Sequence, residues 1–183
     1  MMTVGLLGLQ GAFLDHISHL KRCGVAYRIV RDKEALTAID RLIIPGGEST
    51  VMTKFLREFG MLETLKGRIE NGMPAWGVCA GSILLAEEVD GKPGTLAALP
   101  ISVTRNAYGR QIASDIQPID VPVLDLTHYP AVFIRAPRID HSGGEVIIHA
   151  SRAVIRSSSR RIGSWPPRFI PNSMRMIFST TTF

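Results

Sequence analysis

The stretch Trp76-Gly77-Val78-Cys79-Ala80-Gly81-Ser82 joins an apolar strand-like run, Pro74 to Val78, to a helix-forming run, Ser82 to Glu88. A cysteine sits at the join, with a glycine two residues away on either side. A chain passes from strand to helix in so few residues only through a sharp turn, and the two glycines keep side chains away from its apex. This is the G-x-nucleophile-x-G elbow with Cys in place of Ser. The elbow constrains the fold, because it requires a buried strand feeding a helix that packs back on the sheet, the unit of an α/β protein. It also sets Cys79 at a helix N-terminus, where unpaired N–H groups and the macrodipole favour thiolate over thiol. The competing reading is a small buried cysteine in an ordinary turn, and only a matching set of partner residues separates the two.

The rest of the chain supplies such a sheet. Thr3 to Leu9 is a continuous apolar run ending at Gln10-Gly11, followed by a helical pattern from Ala12 to about Cys23. Tyr27 to Val30 and Arg41 to Ile44 are short β-type runs; the second ends in Pro45-Gly46-Gly47 and gives way to a helical stretch through Phe59. Ala75 to Val78 then enters the elbow. Strands alternating with helices predict a three-layer, flavodoxin-like α/β fold, a mostly parallel sheet with helices on both faces and the site in loops at the strand C-terminal ends. Beyond Gly94 the pattern turns β-rich, at Ile101 to Thr104, Val132 to Arg135 and Val146 to His149. With neither an internal repeat nor a linker, residues 1–183 are expected to form a single domain.

Composition narrows the class. The formal charge of +5 suggests a polyanion partner, but all 16 Asp and Glu lie at or before Glu145, so that stretch is nearly neutral. The basicity belongs to residues 151–183, which hold six Arg and no acid. That tail lacks interleaved aromatics and any reading motif, so nucleic-acid binding is the weakest expectation. Cys23 and Cys79 show neither metal spacing nor a disulfide framework, which fits a reducing cytosol, with Cys23 expected to serve packing. The apolar N-terminus has no basic leader segment before it, and no run is long enough to span a bilayer, so a cytoplasmic location is expected.

A thiolate attacking an amide carbon needs oxyanion donors, groups that hold the substrate, and a base oriented by a third residue. Pro45-Gly46-Gly47-Glu48-Ser49-Thr50 is a strand-end loop whose glycines allow close backbone approach. Here the sequence resembles a known family, the class I (triad-type) glutamine amidotransferases, and within it the glutaminase subunits of pyridoxal 5′-phosphate synthase. The likeness rests on five segments in order: Gly5-Leu6-Leu7-Gly8-Leu9-Gln10-Gly11, the Pro45 to Thr50 loop, Gly77-Val78-Cys79-Ala80-Gly81, Arg105-Asn106-Ala107-Tyr108-Gly109-Arg110-Gln111, and Phe133-Ile134-Arg135-Ala136-Pro137. The elbow is common to many amidotransferases; the last two segments narrow the match to this subunit. The resemblance implies that Cys79 attacks the glutamine side-chain amide, releasing ammonia and leaving a thioester that water hydrolyses. It further implies that Gly46 and Gly47 build the oxyanion hole, that Gly47, Glu48 and Ser49 contact glutamine, and that Arg105, Ile134 and Arg135 complete the pocket. An Arg can clamp an α-carboxylate and Glu48 can receive an α-ammonium. Ala113-Ser114-Asp115-Ile116 departs from the family's pattern.

The base is missing. The family carries it, with its orienting carboxylate, in a late Phe-His-Pro-Glu-Leu segment, whereas this chain has no histidine after His149. His16 and His19 are expected on the polar side of the first helix; His128, His141 and His149 sit in no matching context. The tail does contain Arg168-Phe169-Ile170-Pro171-Asn172-Ser173. One permitted codon set for it, CGT TTC ATC CCG AAC TC, read from one base earlier gives Phe-His-Pro-Glu-Leu, and acid returns to the tail in the same frame. The sequence therefore predicts a single-base shift between about Ala150 and Gly163, making residues 151–183 an aberrant tail. In the printed frame Ile170 and Asn172 occupy the places of base and orienter, and neither does that work.

The resulting expectation is a glutaminase that passes ammonia to a synthase partner in a hetero-oligomer for vitamin B6 biosynthesis, with no metal or organic cofactor, no membrane and no nucleic acid. Two rivals differ in class: a catalytically impaired docking subunit lacking the triad His and Glu, and a different cysteine-elbow enzyme such as a peptidase.

Overall fold

The computed structural model describes residues 2–105, 115–122, 125–133, 137–141 and 146. Four parallel strands, β1 (Thr3–Leu7), β2 (Ala26–Val30), β3 (Arg41–Ile44) and β4 (Ala75–Gly77), lie in the order β2-β1-β3-β4. Their registers run Thr3 beside Ala26, Val4 beside Arg41 and Leu42 beside Ala75. The connections are α1 (Asp15–Arg22), α2 (Lys33–Thr37), and the pair α3 (Ser49–Glu58) and α4 (Leu62–Glu70). After β4 the chain turns at once into α5 (Ala80–Leu85).

Successive side chains of a strand point to opposite faces, and the core divides accordingly. Val4, Leu6 and Ile43 form one cluster with Ile17 and Leu20 of α1. Leu7, Leu42 and Ile44 join Leu36, Met52, Leu56, Leu65, Ile69 and Leu84 on the other face, contributed by α2 to α5. Fully burying each such side chain is worth about 1.5–3 kcal/mol, so both helical layers are held by apolar contact. The expected three-layer α/β architecture is what the structure shows. Polar ties add local order: Asp32 caps α2 by accepting the Ala35 N–H at 2.6 Å. Arg68 of α4 donates to the Leu36 carbonyl and, at 2.7 Å, to that of Ile39, fastening α4 to the end of α2.

Three expectations are corrected. The helix after Cys79 stops at Leu85, and Ala86 to Glu88, expected to continue it, belong to strand β5 (Ala86–Val89). Asp90 (φ +51°) and Gly91 (φ +74°) make a two-residue hairpin turn into β6 (Lys92–Pro93), and β5 pairs in parallel with β7 (Leu99–Thr104). These pairings outweigh the helix propensity of Ala86-Glu87-Glu88. His16 is half-buried, its ring edge-on to Trp76 with centroids 5.7 Å apart, rather than on a polar face. Cys23, at the C-terminal end of α1, is exposed and packs in no core.

The second sheet has the order β10-β7-β5-β6, with β10 (Arg138–His141) antiparallel to β7. A separate antiparallel ribbon joins β8 (Asp115–Val121) to β9 (Leu126–Phe133). The expected strand Ile101–Thr104 falls within β7. Val132 and Phe133 fall in β9, whereas Ile134 and Arg135, residues 147–149 and the tail 151–183 lie outside the described residues.

Candidate active site

Cys79 occupies the apex between β4 and α5 with φ +48° and ψ −100°. A residue with a Cβ rarely adopts that geometry, which typically costs on the order of 1–3 kcal/mol and persists only where the surroundings impose it. Here they do. Val78 donates to the Ile44 carbonyl at 2.9 Å, pinning the strand side to β3, and Gly81 donates back to Val78 at 2.8 Å. The Cys79 carbonyl takes the N–H groups of Ser82 (3.0 Å) and Ile83 (3.2 Å), which starts the helix. Ser82 is fully buried, and its hydroxyl donates to the Gly77 carbonyl at 2.9 Å, closing the elbow across its base.

The two flanking glycines are required by space. A Cβ on Gly77 would lie 2.6 Å from the Gly81 carbonyl carbon and 2.7 Å from the Ser82 nitrogen. One on Gly81 would fall on the Ile44 carbonyl, 2.9 Å from its carbon. The first turn of α5 therefore rests directly on the backbones of β3 and β4, and the half-buried cysteine is held in one place.

Gly46 lies against Cys79: a Cβ on Gly46 would stand 3.7 Å from the Cys79 Cβ. Its carbonyl accepts the Ala12 N–H at 3.0 Å. Gly47 has φ +153°, and a Cβ there would meet the Gln10 Oε1 at 2.5 Å and the Gly11 Cα at 2.8 Å. Gln10 in turn accepts the Glu48 N–H at 2.8 Å. The loop after β1 thus braces the loop after β3. Gln10 was visible in sequence only as part of a motif; the signal for its role was its place beside Gly11 at the end of a buried strand.

Ser49 opens α3 and, with Thr50, Thr53, Ile83, Lys92 and Arg105, lines a cleft of about 180 Å³. Pockets for drug-sized ligands run to roughly 300–1,000 Å³, so this one has the scale of a single amino acid. Thr53 and Thr95 share a hydrogen bond at 3.1 Å within it. A larger depression of about 430 Å³, bordered by Met2, Asp40, Arg41 and Pro74, lies at the opposite ends of the strands from Cys79. Open α/β sheets bind ligands at the carboxyl ends, and the smaller cleft is the one placed there.

Arg105 follows β7 and is bonded to Asp90: its N–H donates to Oδ1 at 2.9 Å and its Nε to Oδ2 at 2.6 Å. These bonds hold the Asp90 carboxyl below its ordinary range. The structure thus sets Gly46 against Cys79, places Gly47 and Glu48 in the same loop braced by Gln10, and puts Ser49 and Arg105 on one cleft. Ile134 and Arg135, and the places of the base and its orienter, lie outside the described residues. Among the described residues no group of three or more His, Cys, Asp or Glu is arranged to hold a metal ion, and no helix is long and apolar enough to cross a membrane.

A parallel sheet that delivers a cysteine at a strained strand-to-helix elbow, with Gly46 of a glycine loop against it, is the framework of an α/β enzyme. The chain matches the SNO glutamine amidotransferase family over residues 6–160 and belongs to it. It is 50% identical over 155 residues to the pyridoxal 5′-phosphate synthase subunit PdxT of Herpetosiphon aurantiacus, covering 82% of this chain and 81% of that protein. Against the same subunit of Thermotoga maritima it is 44% identical over 151 residues, covering 82% and 80%. A crystal structure of a glutamine amidotransferase superposes with a TM-score of 0.73 at 42% identity, over 80% of this chain and 78% of that one.

Proposed function

We propose that the chain hydrolyses glutamine to glutamate and ammonia through a Cys79 thioester and supplies the ammonia to a pyridoxal 5′-phosphate synthase partner. The observation that carries this is the elbow: Cys79 at φ +48° against Gly46, in a chain half identical to synthase subunits. The thiolate attacks the side-chain amide carbon of glutamine, and the amide oxygen gains negative charge. Backbone N–H groups of the Gly46-Gly47 loop face that oxygen, donors that cost no reorganisation because Gln10 already holds the loop. Collapse breaks the C–N bond, the nitrogen leaves as ammonia after gaining a proton, and water cleaves the thioester to glutamate. Gly47, Glu48 and Ser49 bind the substrate, with Arg105, Ile134 and Arg135 completing the pocket. Neither metal nor organic cofactor enters these steps. The reaction is cytoplasmic, and the subunit docks on the synthase in a hetero-oligomer.

Proton transfer is the step the printed chain lacks a group for. The family match ends at residue 160, inside the acid-free tail, which supports a frame shift between about Ala150 and Gly163. In the restored frame a histidine stands where Ile170 is written and a glutamate where Asn172 is. The impaired docking reading gains no support from the relatives, which are synthase subunits of an amidotransferase family. The test is glutamate release by the Cys79→Ala, printed and frame-restored chains, each with the synthase subunit. The reading expects turnover from the restored chain, little from the printed one and none without Cys79. An inactive restored chain sinks the glutaminase assignment; a coding sequence with no shifted Phe-His-Pro-Glu-Leu sinks the frame shift alone.

A further inference from the structure

Asp90 has no part in the chemistry above, yet it makes a two-point contact to Arg105, which lines the cleft. It sits at the C-terminal end of β5, and Arg105 at that of β7, adjacent parallel strands in which Val89 pairs with Val103. The Asp90 backbone is fixed twice over, by the two-residue turn with Gly91 and by donation of its N–H to the Val103 carbonyl at 2.9 Å. From that fixed point its two carboxylate oxygens take different groups of Arg105, Oδ1 the main-chain N–H at 2.9 Å and Oδ2 the Nε at 2.6 Å. One contact anchors the start of the side chain and the other its far end, so the intervening rotamers are restrained from both sides.

Which nitrogen is engaged matters. A guanidinium carries five N–H donors, one on Nε and four on the two Nη nitrogens, and the Nη pair meets a carboxylate in a two-pronged bond. A contact through Nε fixes the guanidinium plane and does not use the Nη pair, the edge suited to a second carboxylate. Arg105 lines the cleft together with Ser49 and Thr50. Glutamine has one anionic group, its α-carboxylate. We propose that Asp90 is a positioning residue for substrate binding: it holds the Arg105 guanidinium so that its Nη edge receives the α-carboxylate of glutamine. This rests on the glutaminase reading and deepens it.

The pair is exposed, 40% for the Arg105 side chain and 34% for that of Asp90. Exposed ion pairs contribute little to stability, so the effect of Asp90 is read in ligand affinity rather than in folding. Preorganisation of this kind raises affinity by reducing the ordering lost on binding.

The test measures glutamine affinity by calorimetry on the full chain in complex with the synthase subunit, in a Cys79→Ala background that cannot turn substrate over. Asp90→Asn keeps the turn, because Asn-Gly favours the same geometry, but removes the charge that holds Nε. The proposal expects glutamine binding weakened about 5- to 20-fold by Asp90→Asn, with the urea midpoint unchanged, and weakened at least as much by Arg105→Ala. The double variant should match Arg105→Ala alone, since Asp90 acts through that side chain. For an amide ligand lacking the carboxylate, Asp90→Asn should change nothing. Unchanged or tighter glutamine binding in Asp90→Asn, or additive losses in the double variant, overturns the proposal while leaving the glutaminase reading intact. A reference chain that does not bind glutamine overturns both.

Discussion

Gly77→Ala adds one methyl group at a position where nothing flexible can move. The new Cβ would lie 2.6 Å from the Gly81 carbonyl carbon, 2.7 Å from its oxygen and 2.7 Å from the Ser82 nitrogen, all backbone atoms in the first turn of α5. Ordinary Cβ contacts begin near 3.4 Å, so the helix must retreat by about 0.8 Å. Overpacking into a rigid site costs about 1–3 kcal/mol. The retreat also stretches the 2.9 Å bond from the buried Ser82 hydroxyl to the Gly77 carbonyl, and a buried polar group left unpaired costs about 1–3 kcal/mol more. A total of about 2–6 kcal/mol is a large part of the 5–15 kcal/mol that typically holds a domain together. Gly67→Ala is the internal control: it is the same substitution inside α4, where a Cβ meets nothing within 4 Å, and helix propensity predicts a gain of about 0.5–1 kcal/mol. Urea unfolding followed by circular dichroism should show a midpoint lowered by roughly 2 M for Gly77→Ala, at a slope near 2 kcal/mol/M, and raised slightly for Gly67→Ala. Labelling of Cys79 by a glutamine-like electrophile should fall about 100-fold in Gly77→Ala, since displacement of a reacting group by near 1 Å costs about that much. A Gly77→Ala protein within about 0.5 kcal/mol of its parent, or a Gly67→Ala protein equally destabilised, would refute the steric reasoning.

The same elbow makes Cys79→Gly informative, because glycine accepts φ +48° without penalty. The variant should unfold about 1 kcal/mol later while losing all thioester chemistry, and a drop in stability would show that no strain is stored there. Ser82→Ala removes the hydroxyl that closes the elbow and should cost about 1–3 kcal/mol in the same urea assay; a neutral result would mean the Gly77 carbonyl finds another donor. His16 has a pKa lowered from 6.5, chiefly by burial and further by His19, against an opposing push from Asp15. The fold holds its neutral form, so the unfolded chain binds more protons between the depressed value and 6.5. Stability is then fully present above 6.5 and declines as pH falls through that window. His16→Gln should flatten this decline in urea midpoints taken between about pH 7.5 and about pH 5, and an unaltered slope would place the titration elsewhere.

What was legible in the sequence is what local chemistry dictates. Arg41–Ile44 reads as a strand because Leu42, Ile43 and Ile44 are apolar on both faces, and the sheet buries both. The elbow was readable for a related reason: only glycine fits where backbones nearly touch, as at Gly77 and Gly81, so their spacing marked the turn at Cys79, while the part of the Gly46-Gly47 loop came from the family resemblance. Helix α4 went unread: it carries Leu62, Leu65 and Ile69 on one stripe, but its N-cap is Met61, with no capping side chain to mark a start after Phe59. The end of α5 was not legible, since Ala86-Glu87-Glu88 is good helix sequence and strand pairing overrides it from outside. Asp90 reads locally as half of a turn; its bond to Arg105, 15 residues on, exists only because β5 and β7 lie side by side.

The catalytic base marks a different kind of limit. Cys79 and its two loops all fall before Arg105, where residue order and spacing carry the geometry. A triad needs its proton acceptor from another part of the chain, and no physical argument about a nucleophile elbow locates it in sequence. The frame shift proposed above would put that information at the level of codons: isoleucine accepts no proton, whereas one permitted codon set for Phe169-Ile170-Pro171-Asn172, read one frame away, encodes an imidazole and a carboxylate. The strained φ of Cys79 argues that the two belong together. A fold that holds a residue about 1–3 kcal/mol out of its preferred geometry gains nothing from doing so unless the thiol is used. A used thiol requires a partner that Ile170 cannot be.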